Sequence, residues 1–235
     1  AAVFSVFVRD DYRLSGLLTV ISYGMAAVLS LALTDVSPEG SGRISKVGFR
    51  QVLSQTLSDR NLLLFLVGAA FLNETHQTVT VFLNQLQYEK CGLGNTAIGS
   101  IFIIATLLGT CGAASAWFTK RMGSRAAGAA FGGIAVVSCI TLAAARTALP
   151  SVCGILALRI SNSLFQPFQT EIQNRKVHTE YRATALSIHA MILDSIGAGT
   201  NLVFGALAEK NLAAAFLFGA GICAAGWAVT IHTHA

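Results

Sequence analysis

The stretch Asn61–Leu86, NLLLFLVGAAFLNETHQTVTVFLNQL, decides the fold of this chain. It is an apolar run long enough to cross a bilayer as a helix. It holds one charged residue, Glu74, which lies 14 residues after Arg60 and 15 before Glu89. Glu74 therefore falls close to the midplane, where a charge costs at least about 2.5–3.5 kcal/mol on insertion scales.

Arg159 and Asp194 are isolated in the same way. Each lies 12 to 15 residues from the charges that flank it in the sequence, which is roughly 18–22 Å of helix. Charges buried at such a cost most often mark a substrate or proton path. The three residues thus predict a polar interior within an apolar protein.

The composition supports a membrane protein. Of 235 residues, 54% are hydrophobic and only 11% are charged, against about 25% in soluble domains. The net charge of +5 comes from basic residues in short loops that form no continuous stripe, so we expect no nucleic-acid partner. The partner that the composition predicts is the lipid bilayer.

The apolar runs predict seven transmembrane helices. Long continuous runs exclude barrel strands, which are short and alternate apolar with polar residues. Helices satisfy their own backbone hydrogen bonds in hydrocarbon. The predicted fold class is therefore an all-α polytopic membrane protein, with spans at 14–34, 61–86, 95–118, 126–145, 148–170, 184–207 and 211–233.

The loops alternate in charge. Ten basic residues lie in the set formed by 35–60, the turn near Arg121 and the turn near Arg175, and five lie in the other set. The richer side is expected to be cytoplasmic. We therefore expect a multi-pass protein of the plasma (bacterial inner) membrane, with loop 35–60 and the C-terminus in the cytoplasm.

Three regions follow from the runs and loops. Residues 1–34 hold an apolar stub that is too short to cross a membrane, followed by one full helix. They predict the remnant of a preceding half of the protein. We therefore expect a partial chain. Residues 35–60 form a linker with a breaker cluster and a segment that can fold as an amphipathic helix. Residues 61–235 hold six spans.

The six later spans divide into two triplets. The opening helices, 61–86 and 148–170, are the most polar, and the closing helices, 126–145 and 211–233, carry no charge. We expect the opening helices to line a cavity and the closing helices to face lipid. A three-plus-three internal repeat is a signature of transporters.

Short motifs add a family resemblance. The turn Ala116–Arg125, AWFTKRMGSR, matches the basic turn G-x-x-x-D-R-x-G-x-R of major facilitator superfamily transporters at Arg121, Gly123 and Arg125. Lys120 replaces the acid of that pattern. The stretch from Gln166-Pro167-Phe168 to Asn174, followed by Arg182-Ala183-Thr184, also resembles helix ends of bacterial members.

The chain thus resembles the C-terminal half of such a transporter, preceded by the last helix of the N-terminal half. The resemblance implies two six-helix halves joined by a cytoplasmic loop, with the N-terminal half as a partner. It implies that Glu74 and Arg159 line the central cavity. It also implies a gating role for the loop with Arg121, Gly123 and Arg125.

Glu74 is the first candidate for a group that loads and releases a proton. The alternative is that Glu74 only pairs with Arg159 and ties two helices together. Arg159 remains charged, and we expect it to clamp a substrate anion or to act as counter-ion for Glu74 or Asp194. Asp194 either contacts the solute or lies at the contact with the N-terminal half.

Polar neighbours complete the predicted solute and proton pathway. His76 either relays protons or is a neutral, hydrogen-bonded side chain. The amide side chains that can bind a solute or join two helices are Asn73, Gln77, Asn162 and Gln166. The five cysteines form no CxxC pair or Cys/His cluster, so we expect no metal, no cofactor and no disulfide framework.

The function predicted from the sequence is secondary active transport, with proton-coupled uptake or efflux of a small solute by alternating access. A retinal protein would need a lysine in its last helix, and 211–233 has none. A membrane-embedded enzyme would need a catalytic pair or a metal motif such as HExxH, so we expect no enzyme and no catalytic residue. The alternatives that remain are a non-transporting scaffold or receptor on the same fold, or a membrane-embedded enzyme.

Overall fold

The computed structural model describes residues 12–32, 48–177 and 179–233, and the regular elements in these residues are all helical. The chain divides into two units, Ala1–Lys46 and Val47–Ala235. In the first, helix α1 spans Tyr12–Leu31 and is apolar from Gly16 to Leu31. The predicted stub at 1–8 and the breaker cluster near residue 40 lie outside the described residues.

The second unit begins with a short amphipathic helix, α2 (Phe49–Ser58). Val52 and Thr56 are buried, whereas Phe49 and Leu57 are half-exposed. Val52 packs in a small apolar cluster with Val177, Ala185 and Ile188. The segment therefore packs one face against the protein and leaves the other uncovered.

The stretch 61–86 lies within a long helical rod that is not uniform. Helix α3 (Arg60–Gln77) begins at Asp59, whose side chain accepts a hydrogen bond from the Leu62 backbone N–H at 3.0 Å. The rod then widens into a π-helical turn (Thr78–Leu83) and ends as α4 (Asn84–Lys90). The π-helical turn begins four residues after Glu74, and such turns are frequent at functional sites.

Five further helices are long and apolar enough to cross a membrane. The first is built from α5 (Asn95–Leu108), a 3₁₀ turn (Gly109–Ala114) and α6 (Ser115–Met122). The other four are α7 (Ser124–Ala144), α8 (Ala148–Arg175), α9 (Arg182–Lys210) and α10 (Leu212–Thr233).

These five helices coincide with predicted spans to within five residues at each end. The remaining two predicted spans, 14–34 and 61–86, correspond to α1 and to the rod formed by α3 and α4. Both segments are helical over most of their predicted length, but neither is among the five apolar helices of spanning length. The polar patch around Glu74 lowers the hydropathy of α3.

The expectation that the closing helices face lipid is wrong for one side of each. Helices α7 and α10 pack against each other, and α10 also packs against α3. Ala135 and Cys139 of α7 and Phe216 and Cys223 of α10 are completely buried. An uncharged helix can pack equally well against protein or against lipid, because lipid tails are as apolar as leucine. The absence of charge therefore could not show which of the two surrounds the helix.

Small residues make this packing close. The indole of Trp227 occupies the space that a side chain at Gly132 would need, and Gly226 lies against the backbone carbonyl of Gly68. Close backbone approach at small residues is a typical contact between membrane helices. It holds α3, which carries Glu74, in a fixed position on α10.

Candidate functional site

Glu74 projects from α3 towards α9 and is half-buried. Its Oε2 atom accepts a hydrogen bond from Nδ2 of Asn201 at 2.9 Å. Its Oε1 atom lies against Gly197, where a Cβ atom would collide with the carboxylate. The lack of a side chain at Gly197 therefore makes the notch that receives Glu74.

Asp194 belongs to the same face of α9. Asp194, Gly197 and Asn201 are spaced three and four residues apart, which aligns them along one side of a helix. Asp194 is exposed and lies close enough to Glu74 to repel its negative charge. The structure thus brings together two of the three isolated charges, and they have the same sign.

Asn201 also joins Glu74 to the π-helical turn. The buried hydroxyl of Thr78 donates a hydrogen bond to Oδ1 of Asn201. Hydroxyl, amide and carboxylate therefore form one chain from Thr78 through Asn201 to Glu74. The sequence reasoning missed Asn201 and Gly197, although their spacing from Asp194 placed them on its face of the helix.

Arg159 lies elsewhere. Its Nε atom donates to the Ala105 backbone carbonyl at 3.3 Å, and its guanidinium covers Gly109. Within the described ranges neither Glu74 nor Asp194 forms an ion pair, and Arg159 pairs with no carboxylate. The structure does not bring the basic charge and the two acidic charges into contact.

His76 points to a different side of α3 from Glu74. It is completely buried, and its Nε2 atom lies 3.3 Å from the hydroxyl of Ser161 on α8. That hydroxyl donates its proton to the Phe131 carbonyl at 2.7 Å, so Nε2 of His76 is the donor to Ser161. These contacts fit the neutral, hydrogen-bonded histidine that was one of the two expectations.

Three amide side chains form a second polar group between α3 and α8. Asn73 donates to Oε1 of Gln169 at 2.7 Å and accepts from Nε2 of Gln166 at 2.9 Å. Gln169 was not predicted. Gln77 is exposed, and Oδ1 of Asn162 is buried with no hydrogen-bond partner.

An open cleft leads from this amide group to the end of α8. Its volume is about 850 Å³. It begins at Gln166 and Pro167 and ends between Arg175 and Arg182. Pro167 lies inside α8, where it removes one backbone hydrogen bond. The cleft connects Gln166, one of the three amides, with one end of the helices.

The loop predicted to act as a gate is a tight turn between α6 and α7. Gly123 has a φ of +83°, a conformation that favours glycine. Arg121 lies over the ring of Trp117 at 5.2 Å, within the range of a cation–π contact. Arg121 and Arg125 are both exposed.

The part of the chain that the structure describes contains no group of three histidine, cysteine or acidic side chains arranged to hold a metal ion. Within the described residues, the site offers two carboxylates without counter-ions, a separate arginine and several neutral hydrogen-bonding groups. Such a site can exchange protons and bind a polar solute, and it lacks an evident nucleophile–base pair.

Comparison with known proteins identifies a family. The family model described as Major Facilitator Superfamily matches residues 1–200. No curated protein and no solved structure matches the chain. The family consists generally of transporters rather than enzymes, and the long apolar helices agree with an integral, multi-pass membrane protein of transporter type. The chain belongs to the major facilitator superfamily.

Proposed function

We propose that this protein is a secondary active transporter that moves a small solute by alternating access and couples that movement to protons, with Glu74 as the proton carrier. The observation that carries the proposal is the environment of Glu74. Among the residues that the structure describes, this half-buried carboxylate in the middle of a predicted span has one amide as partner and no counter-ion. A proton is the smallest cation that can neutralise it.

The wider architecture supports a cavity at this place. Asp194 and Asn201 are exposed in the middle of α9, and charged or amide groups at that depth rarely face lipid. We infer that this side of α9 faces a water-filled cavity shared with a preceding six-helix half. In this arrangement residues 61–235 form the C-terminal half, and residues 35–60 link the two halves. The segments 14–34 and 61–86 also cross the membrane, so that this chain has seven transmembrane helices. The six helices of the C-terminal half form a three-plus-three repeat.

Solute binding is assigned to the groups on the other side of α3. Gln166 lies at the head of the cleft and bonds to Asn73, which in turn bonds to the buried Gln169. Arg159 uses one of its five N–H donors on Ala105, so the other donors can bind an anionic group. The turn with Arg121, Gly123 and Arg125 is proposed as the gate.

Reconstitution of the full-length protein into vesicles tests the proposal. We expect a labelled solute, found by screening, to accumulate when a pH gradient is imposed and to move in the opposite direction when the gradient is reversed. A protonophore should abolish accumulation and leave exchange of solute across the membrane intact. Binding without flux under either gradient would instead identify a scaffold or receptor on this fold.

The orientation is a separate proposal, because it rests on the excess of basic residues in one set of loops. We expect the exposed Lys90 to face the outside and the exposed Lys120 to face the cytoplasm. In a background without native cysteines, Lys90→Cys should react with an impermeant thiol reagent in intact cells. Lys120→Cys should react only after lysis, and the reverse pattern would show the opposite orientation.

A further inference from the structure

The chain of hydrogen bonds from Thr78 to Glu74 has a direction. Thr78 donates to Oδ1 of Asn201, and Nδ2 of Asn201 donates to Oε2 of Glu74. This direction requires an acceptor at Glu74, which an ionised carboxylate supplies. If the amide were reversed, its oxygen would face the negative carboxylate, so the ionised state of Glu74 admits only the observed arrangement, whereas the protonated state admits both arrangements.

A proton added to Glu74 removes that requirement. The carboxylic acid can donate its O–H to Oδ1 of Asn201, provided that the amide turns over. Nδ2 of Asn201 then donates to the hydroxyl oxygen of Thr78. The threonine hydroxyl must in turn find a new acceptor, and helical threonines commonly use the carbonyl one turn earlier. Thr80 already does so, donating to the His76 carbonyl at 2.7 Å.

We propose that Asn201 is a positioning residue whose side-chain amide reverses when Glu74 is protonated, so that the proton's presence is transmitted through Thr78 to the π-helical turn. This inference rests on the proposed role of Glu74 as proton carrier. No bond other than hydrogen bonds changes, and the proton that enters stays on the carboxyl group. Asn201 neither carries the proton nor touches the solute.

The other charged groups around Glu74 do not supply this link. On α9, Asp194 acts on Glu74 by repulsion, while His189 is buried with both ring nitrogens unpaired. Arg159 of α8 is held by Ala105, and His76 is held by Ser161. Helix α10 carries no Asp, Glu, Lys or Arg. The remaining charged residues of α7, α8 and α9 lie near the ends of those helices, and Arg50 of α2 is exposed.

The test measures protonation of Glu74 directly, in the full-length protein. Dicyclohexylcarbodiimide reacts with protonated carboxyl groups in apolar surroundings, and mass spectrometry of the peptide separates Glu74 from Asp194. In Asn201→Leu, the carboxylate loses its donor, so the pH of half-maximal labelling should rise by about 1 to 2 units. Thr78→Val removes only the hydrogen bond to the Asn201 amide and leaves that amide free to bond to Glu74. It should therefore raise the pH of half-maximal labelling by a smaller amount.

Thr80→Val is the matched control, because Thr80 bonds only within its own helix, and its labelling profile should coincide with that of the wild type. Hydrogen exchange at residues 79–83, corrected for its intrinsic pH dependence, should respond to pH in the wild type and Thr80→Val but not in Thr78→Val. Wild-type profiles in both Asn201→Leu and Thr78→Val would overturn this inference alone. Labelling of Glu74 that does not depend on pH in the wild type would overturn the proton-carrier role as well.

Discussion

Replacement of Glu74 by glutamine is expected to abolish solute accumulation driven by a pH gradient. Glutamine keeps the size of the side chain and an oxygen that can accept the hydrogen bond of Asn201, but it binds no proton in this pH range. Exchange of labelled for unlabelled solute should continue, because it requires no net proton movement. Transport assays in vesicles with and without a gradient measure the two activities separately.

The same substitution at Glu89 is the control. Glu89 is exposed and accepts a hydrogen bond from Gln85 one turn earlier in α4. Glu89→Gln should therefore retain both activities. Gradient-driven accumulation that survives in Glu74→Gln would exclude Glu74 as the proton carrier. Loss of exchange together with accumulation would indicate that Glu74 holds the helices in place rather than carrying a proton.

The second large effect is expected at Gly197. A methyl group there would collide with the carboxylate of Glu74, so Gly197→Ala must displace Glu74 from its notch and break its bond to Asn201. The carboxylate is the end of a flexible, half-buried side chain, so the collision costs less than the roughly 1–3 kcal/mol of a fully packed interior. Thermal unfolding in detergent should show a lowered midpoint, and gradient-driven transport should fall in parallel.

Gly199 provides a matched comparison in the same helix, because nothing lies within 4 Å of a Cβ atom added there. Gly199→Ala should leave transport unchanged and should not lower the unfolding midpoint, because alanine favours a helix by about 1 kcal/mol over glycine. A double substitution identifies the cause: in a Glu74→Ala background the collision is absent, so Gly197→Ala should no longer lower the unfolding midpoint. Additive effects of the two substitutions would contradict the contact between them.

Much of the fold could be predicted because the length of an apolar run sets the length of a membrane helix. The boundaries of α8 and α9 were predicted to within five residues on that basis. The π-helical turn at Thr78–Leu83 could not be predicted from the sequence. Such a turn depends on packing around one inserted residue and leaves no periodic signal. The polar residues before it only showed that the segment was unusual.

The candidate site was predicted in composition but not in arrangement. Depth along a helix can be counted from the sequence, so Glu74, Arg159 and Asp194 were placed at similar levels. The direction in which a side chain points around the helix axis cannot be counted from the sequence when polar residues lie on all sides of the helix. Arg159 therefore turned out to contact Ala105 rather than a carboxylate. Asn201 carries no charge and lies in an otherwise ordinary stretch, so nothing in its own chemistry singled it out.

Infrared difference spectroscopy of the full-length protein in lipid tests the central claim most directly, because it observes the carboxyl group itself. Titration should change the carbonyl-stretch band of protonated carboxylic acids, and one component of that change should be lost in Glu74→Gln and retained in Glu89→Gln. A titrating band that is unaltered by Glu74→Gln would show that the proton binds elsewhere and would contradict the mechanism proposed for this protein.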